Sequence, residues 1–548
     1  MTTLPALVRR SALLTLAGVS GCVWISKEEH LDRVDFDDDG AVVYGYEDGT
    51  DCDDRDPTVT TRTFYRDDDV DGEGDPDAPL NEGCEAPEGY VATSLDCDDN
   101  NAEVNTSQLE VCGDGLDNDC DGRPCLPSGE LSSSALAAIS GVNNKDQLGA
   151  AFDMSADFNG DGVADLLVGA PNAAPGGAVV GLYGPLESGK SASDADFTIA
   201  HSAAGVELGA SVAWLPGSLK SRLALSVAGT GAVYIFDPDV GLSFGSAAVS
   251  IQPIGNIGLG GEIAYAGDLD GDGLGELLVA APKYEKSFGE PGAWFIYSGA
   301  SASQRFPPND DDGEMLSSSS VHLSEMSPRW GDVDGDGVDE LAFGGTETAG
   351  DNGVVLLLMP LFDNVVTPAD SVLTLVGSGG SDQRFGATVD LGDLDGDGRD
   401  DVVVGAPGDE FDAGKVYVFL SNDGSTLDTN ASVVISGAAL DDRLGEGVAA
   451  SADLDGDGRE DVAVSRPGAE LSGLNRGVVS VYLGLPDSGT LSLTDADLSV
   501  NGDADSMELG SSLGTGLVDG DTFLDLLIGA PELSEGRILL LPDRKSVV

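Results

Sequence analysis

The chain has few basic residues, few aromatic residues and very few histidines. It holds 26 Lys+Arg against 98 Asp+Glu over 548 residues, for a formal net charge of −72, with 6% aromatics and three His. Recognition of phosphate groups needs clustered Lys and Arg. The charge balance therefore opposes binding to nucleic acid or to an anionic bilayer surface.

Long hydrophobic runs are also missing, and cysteine is absent after Cys125. No run reaches the ~18 apolar residues that a membrane helix needs. The chain is instead rich in glycine, with 77 residues, and its 41% hydrophobic residues recur in short runs bounded by Gly, Pro and Asp. This composition fits helical bundles and coiled coils badly, and it predicts several domains or one large repeat array.

Residues 1–21 have the pattern of an export signal. Arg9 and Arg10 precede an uncharged apolar stretch that is too short to cross a bilayer. The stretch ends in Leu-Ala-Gly-Val-Ser-Gly-Cys22, which resembles the lipobox of bacterial lipoproteins and implies cleavage and lipidation at Cys22. A plain secretory signal is the alternative. We expect a protein of the bacterial cell envelope, at the outer membrane or cell surface, that contacts the membrane only through its lipid anchor.

Residues 22–127 form an acidic segment that contains cysteines. Residues 23–127 hold 32 Asp+Glu and six Lys+Arg, so they bury little apolar surface. An even number of cysteines in such an exported segment predicts disulfide staples, whose pairing the sequence does not choose. Zinc is the rival use of thiols, but no Cys-x-x-Cys occurs. The disulfide candidates are Cys52, Cys84, Cys97, Cys112, Cys120 and Cys125.

The acids of this segment stand at alternate positions with glycine at the turns, which is how a short loop wraps a hard cation. Tyr65 to Gly122 resembles the MopE-like metal-binding motif, and residues 35–60 resemble a truncated first copy. All-oxygen ligands favour calcium, whereas copper, which the resemblance leaves open, prefers His, Met or Cys. An acidic stalk without a tight ion is the alternative. The expected ligands are Asp67, Asp69, Asp71, Asp96, Asp98, Asp99, Asp117, Asn118, Asp119 and Asp121.

From about residue 128 an acidic nonapeptide recurs, with Asp, Glu or, once, Asn at positions 1, 3, 5 and 9 and Gly at position 6. A sixth, degenerate copy has Leu517 at its first position. A further unit, around Leu208-Gly209, has no acidic loop. With that unit counted, the first positions advance from 157 to 517 in six steps that average 60 residues. This spacing is the size of one four-stranded propeller blade.

Each unit repeats further marks. A Leu-Gly or Phe-Gly pair precedes five of the loops, and β-branched runs bounded by Gly, Pro and Asp indicate strands. These features resemble the FG-GAP repeat of integrin α-subunit propellers. The resemblance implies an all-β fold, a seven-bladed β-propeller at residues 128–548. The Leu-Gly and Phe-Gly pairs that precede the loops are Leu148-Gly149, Leu259-Gly260, Phe385-Gly386, Leu444-Gly445 and Leu509-Gly510.

The phase of the repeat predicts how the ring closes. The last unit lacks an outer strand, because the chain ends soon after the strand at residues 536–541. The strand at residues 135–139 has no parent unit. We therefore expect residues 135–139 to complete the last blade.

The loops differ from an EF-hand, because position 12 is apolar and lies in a strand. We expect about five Ca²⁺ ions, held by side chains at positions 1, 3, 5 and 9 and by the carbonyl at position 7. Solvated acidic turns are the alternative, and the last loop is left open. The expected ligands are Asp157, Asn159, Asp161, Val163 and Asp165; Asp268, Asp270, Asp272, Leu274 and Glu276; Asp332, Asp334, Asp336, Val338 and Glu340; Asp393, Asp395, Asp397, Arg399 and Asp401; Asp453, Asp455, Asp457, Arg459 and Asp461; and Asp519, Asp521 and Asp525.

No sequence pattern of a catalytic centre stands out. His30, His201 and His322 have no nucleophile or acid partner nearby, and no Gly-x-Ser-x-Gly elbow, phosphate loop or dinucleotide fingerprint occurs. We expect a non-enzymatic, calcium-binding surface lipoprotein whose propeller binds a protein or a glycan. The alternatives are a metal-sequestering surface protein and a hydrolase on a propeller scaffold.

Overall fold

The computed structural model places a large part of the chain. The described residues are 63–81, 86–94, 96–102, 104–105, 129–130, 137–143, 145–186, 190–216, 221–237, 242–253, 255, 257–265, 275–285, 291–297, 314–316, 328–337, 339–346, 353–358, 365–366, 371, 373–377, 383–421, 430–471, 474–504, 507–517, 524–531 and 536–541. The predicted signal peptide and Cys22 lie outside them. The described residues fall into two compact units, one up to Asn105 and one from Gly129 onward.

The first unit contains one small antiparallel sheet. Its central strand, Thr63–Arg66, pairs with Asp75–Asn81 on one side and with Tyr90–Val91 on the other. Phe64 on the central strand is buried. The other described residues of this unit lie in turns, bends and irregular segments, as its acidic and glycine-rich sequence predicts.

The second unit is nearly all β, as predicted. Its described residues form seven sheets, each with four strands in antiparallel order. We number the sheets along the chain. Sheet 1 has the strands Phe152–Ala156, Asp165–Ala170, Ala178–Leu182 and Phe197–Ala200, and sheet 2 has Leu208–Leu215, Arg222–Val227, Ala232–Phe236 and Val249–Ile251. Sheet 3 has Ile263–Tyr265, Leu277–Glu285, Pro291–Tyr297 and Glu314–Leu316, and sheet 4 has Arg329–Gly331, Glu340–Gly345, Val354–Leu358 and Leu373–Val376.

The remaining sheets repeat this order. Sheet 5 has the strands Thr388–Gly392, Asp401–Ala406, Lys415–Phe419 and Val433–Ser436. Sheet 6 has Val448–Ala452, Asp461–Arg466, Val478–Tyr482 and Leu498–Asn501. Sheet 7 has Ser512–Gly516, Asp525–Ala530, Arg537–Leu541 and Ala137–Ser140. Val365–Val366, Gly489–Ser492 and Gly129–Glu130 add a parallel fifth strand to sheets 3, 5 and 6. The other described elements are the hairpin Glu470–Leu471 with Leu474–Asn475, the 3₁₀ turns Ala192–Asp194, Phe244–Ser246 and Leu493–Asp495, and the helical turn Asp409–Asp412.

The second strand of each sheet is apolar at nearly every position because both of its faces are covered. In the strand Asp401–Ala406, Val402 and Val404 pack in a cluster with sheet 4, whereas Val403 packs in a cluster with sheet 6. All six residues of this strand are buried. A strand buried on both faces reads as a continuous apolar run, as these strands do in the sequence.

The sheets form a closed ring. Hydrophobic clusters join each sheet to the next along the chain, from sheets 1 and 2 through to sheets 6 and 7. A further cluster joins sheet 7 to sheet 1 and contains Ile139, Leu166 and Ile538. With the FG-GAP pattern in the sequence, this arrangement is a β-propeller.

The N-terminal strand closes the ring as the phase of the repeat predicts. Ala137–Ser140 pairs antiparallel with Arg537–Leu541, and Ile139 lies opposite Ile538. The outer strand of sheet 7 is thus supplied from the start of the propeller. For residues 137–139 this prediction is confirmed, and the strand extends to Ser140; residues 135 and 136 lie outside the described residues.

The two ends of the sheets differ. The first strand turns into the second at what we call the loop end, where the acidic nonapeptides lie. At the other end, which we call the glycine end, backbones of neighbouring sheets touch: a Cβ on Gly405 would lie 2.1 Å from the carbonyl oxygen of Gly445. Gly445 itself has φ +85°, which favours glycine. The Leu-Gly pairs are therefore points of close contact between sheets.

Candidate metal centres

Four of the acidic loops are described in the structure, at residues 157–165, 332–340 without Val338, 393–401 and 453–461. Each one is closed by its first carboxylate. Asp393 Oδ1 accepts hydrogen bonds from the amides of Gly396 (2.8 Å) and Asp397 (3.0 Å), and its Oδ2 accepts one from Gly398 (2.9 Å). Asp157, Asp332 and Asp453 make the same three bonds in their loops. The first carboxylate of each described loop thus holds the tight turn through three backbone amides.

The carboxylates of these loops converge. In three loops, one oxygen from each of three acids lies within 4.8 Å of the others. Like charges at this distance repel strongly unless a cation or protons compensate them. The three sets are Asp332, Asp334 and Asp336; Asp393, Asp395 and Asp397; and Asp453, Asp455 and Asp461.

The loop at residues 157–165 differs in its second ligand. Asn159 replaces an acid there, and its Nδ2 donates to Asp161 Oδ2 at 2.8 Å. The amide lowers the negative charge of this loop by one. The other three described loops carry an acid at all four side-chain positions.

The ninth residue of each loop is buried beneath it. Asp401 is fully buried, and its Oδ2 accepts a hydrogen bond from the Leu394 amide (3.0 Å) while its Oδ1 accepts one from the Ser421 amide (2.6 Å). Asp461 does the same with the amides of Leu454 and Gly484. Position nine thus ties the loop to the end of the third strand, a role that the sequence analysis did not predict.

Burial raises the pKa of these ninth carboxyls. The pKa of Asp401 and that of Asp461 rise to about 7, first through desolvation and then through the nearby Asp395 in the one loop and Asp455 in the other. The pKa of Asp165 also lies above its ordinary value, mainly through burial. Below about pH 7 and without a bound cation, Asp401 and Asp461 would therefore carry protons.

Among the described ninth residues, Glu340 gives the clearest indication of a cation site. Its Oε2 accepts a hydrogen bond from the Val333 amide (3.0 Å), but its buried Oε1 has no hydrogen-bond partner, and the residue is 2% exposed. Desolvation, with the charges of Asp334 and Asp332, raises its pKa to about 7. A buried carboxylate oxygen without a partner is costly unless a cation binds it.

The two remaining loops are only partly described. Glu276 and Asp525 are buried ninth residues, and Leu517 is 36% exposed. The expected ligands Asp268, Asp270, Asp272, Leu274, Val338, Asp519 and Asp521 lie outside the described residues.

The first unit brings a second group of acids together. Asp67, Asp69 and Asp71 form one set, and Asp69, Asp96 and Asp99 form another, each with ligand atoms within 4.8 Å. A hydrogen bond of 2.7 Å from the Asp68 amide to Asp99 Oδ1 joins the two turns. Asp69 belongs to both sets, so the five acids form one continuous cluster.

Two oxygens in this cluster are buried without a hydrogen-bond partner, Asp69 Oδ2 and Asp96 Oδ2. Asp96 is 1% exposed, and burial, together with the charges of Asp71, Asp69 and Asp99, raises its pKa to about 6. These oxygens fit a hard cation for the same reason as Glu340 does.

Other predicted residues of this segment have separate outcomes. Asp98 is not part of either set; its amide donates to Asp96 Oδ1 at 2.8 Å. Cys97 is disulfide-bonded. The pairing of the cysteines stays a prediction, and the ligands Asp117, Asn118, Asp119 and Asp121 and the cysteines Cys52, Cys84, Cys112, Cys120 and Cys125 lie outside the described residues.

His201 has a local structural role. Its Nδ1 accepts a hydrogen bond from the Ala203 amide (3.1 Å), and its ring packs edge-on against Phe244, with 4.3 Å between the ring centroids. Within the described part of the chain, no helix is long and apolar enough to cross a membrane.

Known families match both units. The FG-GAP repeat matches residues 149–182, 385–419 and 444–482. The metal-binding motif of the MopE type matches residues 51–75 and 96–124. The chain therefore carries FG-GAP repeats and a MopE-like metal-binding motif, as its sequence indicates.

Several characterised proteins are similar to parts of the chain. Integrin alpha pat-2 of Caenorhabditis elegans is 30% identical over 274 residues, which are 46% of this chain and 22% of that protein. Phosphatidylinositol-glycan-specific phospholipase D of Rattus norvegicus is 36% identical over 155 residues, or 27% of this chain and 18% of the enzyme. Human integrin alpha-IIb is 40% identical over 108 residues, which are 18% of this chain and 10% of that protein. The matches thus span at most 22% of the length of these relatives.

Proposed function

We propose that this protein is a non-enzymatic, calcium-binding interaction module of the bacterial cell surface, anchored through a lipid on Cys22. The described acidic loops hold Ca²⁺, and the propeller binds a protein or a glycan. The similarity to integrin α chains and the FG-GAP repeats support an adhesive role.

The observation that carries the calcium assignment is the unpartnered Oε1 of Glu340 under a loop with three converging carboxylates. All side-chain donors of the loop are oxygens, which Ca²⁺ prefers. Asp332, Asp334, Asp336 and Glu340 would supply these oxygens. The bound ion would offset their repulsion and stiffen the hairpin between the first and second strands.

The partner surface lies at the glycine end, where apolar side chains are exposed. Phe411 is 86% exposed in the turn between the second and third strands of sheet 5, and Leu440 is 67% exposed just after the fourth strand. Glu410, Phe411 and Asp412 all have positive φ. Consecutive non-glycine residues in this conformation store strain, which concentrates at ligand contacts.

The turn that presents Phe411 is anchored on both sides. Asp409 Oδ2 accepts a hydrogen bond of 2.7 Å from the Tyr417 hydroxyl, and the Arg443 amide donates to the Asp412 carbonyl at 2.8 Å. The aromatic ring is therefore held outward by a fixed backbone. A rigid exposed aromatic side chain is typical of a binding hot spot.

Metal sequestration by the first unit is a second candidate function. The buried, unpartnered oxygens of Asp69 and Asp96 favour it. We propose calcium for this cluster too, because the donors are oxygens. Tight uptake of copper with weak uptake of calcium would reverse this assignment.

Calcium removal tests the main proposal. The mature chain is stripped of metal, and calcium uptake is then counted by titration while unfolding is followed by calorimetry. Each occupied loop should raise the free energy of unfolding by about 2.7 kcal/mol when free calcium is 100 times the Kd. We expect several ions per chain and a large rise in melting temperature.

Glu340→Gln is the matched variant, and Glu446→Gln at the glycine end is its control. Glu340→Gln should lose part of the calcium-dependent stabilisation, and Glu446→Gln should keep all of it. A chain that takes up no calcium, or whose melting temperature ignores it, would contradict the proposal. Turnover on a panel of ester and glycoside substrates would favour the hydrolase instead.

A further inference from the structure

Three acidic loops of successive sheets touch one another directly. The contact is made by the eighth residue of one loop and the first residue of the loop before it. Glu460 Oε2 accepts a hydrogen bond of 2.7 Å from the Asp393 amide, and the Glu460 amide donates to the Asp393 carbonyl at 3.0 Å. The first ligand residue of the loop at 393–401 is thus held through both of its backbone polar groups.

The same contact occurs one sheet earlier. Asp400 Oδ2 accepts a hydrogen bond of 2.8 Å from the Asp332 amide, and the Asp400 amide donates to the Asp332 carbonyl at 3.0 Å. Aspartate and glutamate differ in length, yet both reach the same backbone groups. The loops at 332–340, 393–401 and 453–461 therefore form a connected series.

A second contact reinforces each link. The seventh residue of the later loop lies over the glycine at position four of the earlier loop. A Cβ on Gly335 would lie 2.9 Å from Arg399 Nε, and one on Gly396 would lie 3.4 Å from Arg459 Cγ. Each arginine also brings positive charge to a neighbouring acidic loop.

Positions eight and nine are adjacent in the chain, so the contact between two loops is tied to the ninth ligand of the later loop. Glu460 contacts the neighbouring loop, and the next residue, Asp461, is the ninth ligand of its own loop. Asp400 and Asp401 are arranged in the same way. An ion that orders position nine therefore also fixes position eight, and with it the first ligand of the preceding loop.

We infer that the calcium sites of sheets 4, 5 and 6 are cooperative and that Asp400 and Glu460 are the positioning residues that couple them. This inference rests on the calcium sites proposed above. When one loop is ordered, the next ion pays less ordering entropy, which is positive coupling without a change of fold. Coupling of this kind is reciprocal between the two sites.

The loop at 157–165 provides an internal contrast. Its eighth residue is Ala164, which has no carboxylate to reach another loop. We therefore expect the loop of sheet 1 to bind its ion independently of any loop before it.

The test is a calcium titration of the full mature chain by calorimetry, with ion counts by native mass spectrometry. The wild type should show a Hill coefficient above 1, and Glu460→Ala should reduce it and raise the half-saturating calcium concentration about fivefold. Glu460→Gln should restore the wild-type curve, because its amide oxygen accepts the same hydrogen bond. Asp400→Ala should act like Glu460→Ala on the other link.

Glu446→Ala is the matched control. It removes a glutamate that pairs with Arg384 at 3.5 Å between the same two sheets, but at the glycine end. Its calcium curve should keep the wild-type slope. If Glu460→Ala and Glu446→Ala give the same slope and midpoint while several ions still bind, the coupling is wrong and the calcium sites stand. If no variant and no wild type binds calcium, the proposed function itself fails.

Discussion

The two ends of the propeller sheets are ordered by different physical means. At the loop end, carboxylates converge within 4.8 Å, and Glu340 has a buried oxygen without a partner. At the glycine end, backbones meet at Gly405 and Gly445, and several acids pair with arginine, as in Arg443 with Glu508 at 3.2 Å. The loop end should therefore depend on a cation and the glycine end on close packing. On the proposed function, calcium would stabilise the loop end without altering the proposed partner surface at the glycine end.

The largest expected effect comes from breaking the packing of the glycine end. Gly405→Ala would place a Cβ 2.1 Å from the Gly445 carbonyl oxygen, which the two backbones cannot accommodate without moving apart. We expect a loss of about 4 kcal/mol or more in the free energy of unfolding, with or without calcium. Chemical denaturation of the purified chain measures it.

The control for this change lies at the loop end. Gly398 has φ +86° and no atom within 4 Å of an added Cβ, so Gly398→Ala carries only backbone strain of about 1–2 kcal/mol. Calcium should offset part of that loss. The comparison between the two ends would collapse if calcium rescued Gly405→Ala as well as it rescued Gly398→Ala.

An intermediate effect concerns pH in the metal-free protein. The pKa values of Glu340, Asp401 and Asp461 rise to about 7, above their ordinary values of 4.5, 3.8 and 3.8. The folded state therefore binds more protons than the unfolded state over this window. Stability must fall as pH rises from about 4 to about 7.

Thermal unfolding of the metal-free chain should accordingly show a higher melting temperature at about pH 5 than at about pH 8, by at least a few degrees. Saturating calcium should flatten this dependence, because the ion replaces the protons. Glu340→Gln should flatten it in part. A melting temperature that rises with pH in metal-free buffer would contradict the assignment of the pH dependence to the buried carboxyls of the loop end.

The smallest effect on stability should come from Phe411→Ala. The side chain is 86% exposed, so the free energy of unfolding should change by less than about 0.5 kcal/mol. Binding to an immobilised panel of matrix proteins and glycans should weaken about tenfold or more. Leu517→Ala, an exposed apolar change at the loop end, should leave binding intact; equal losses from both variants would remove the distinction between the two ends.

The sequence predicted features that depend on local spacing. The nonapeptides could be predicted because their ligands stand at fixed positions. The phase of the repeat predicted that residues 135–139 complete the last blade, where residues 137–140 pair with residues 537–540. The strands could be predicted because residues such as Val402 and Val403 are both apolar, one for each covered face of the same strand. These features need no knowledge of how one sheet sits against another.

Features that depend on contacts between distant segments were not predicted. Glu460 meets Asp393 across 67 residues, and no local pattern distinguishes it from any other surface glutamate. Asp96 joins Asp69 only after the chain has turned back on the strand Thr63–Arg66. The positive φ of Phe411 also lacks a sequence signal, since neither it nor its neighbours are glycine. The periodic spacing of the Leu-Gly and Phe-Gly pairs and of the acidic nonapeptides could not reveal these contacts.

The strand that closes the ring has a mechanical consequence. A pull on the chain from its N-terminal side reaches the propeller first at Gly129–Glu130, which pairs with Val500 and Asn501 of sheet 6, and then at Ala137–Ser140 in sheet 7. Among the described strands, these two pairings on neighbouring sheets are therefore the first that such a pull would load. Tension applied from that side would be resisted at this seam, and loss of Ala137–Ser140 would remove Ile139 from the cluster that joins sheet 7 to sheet 1.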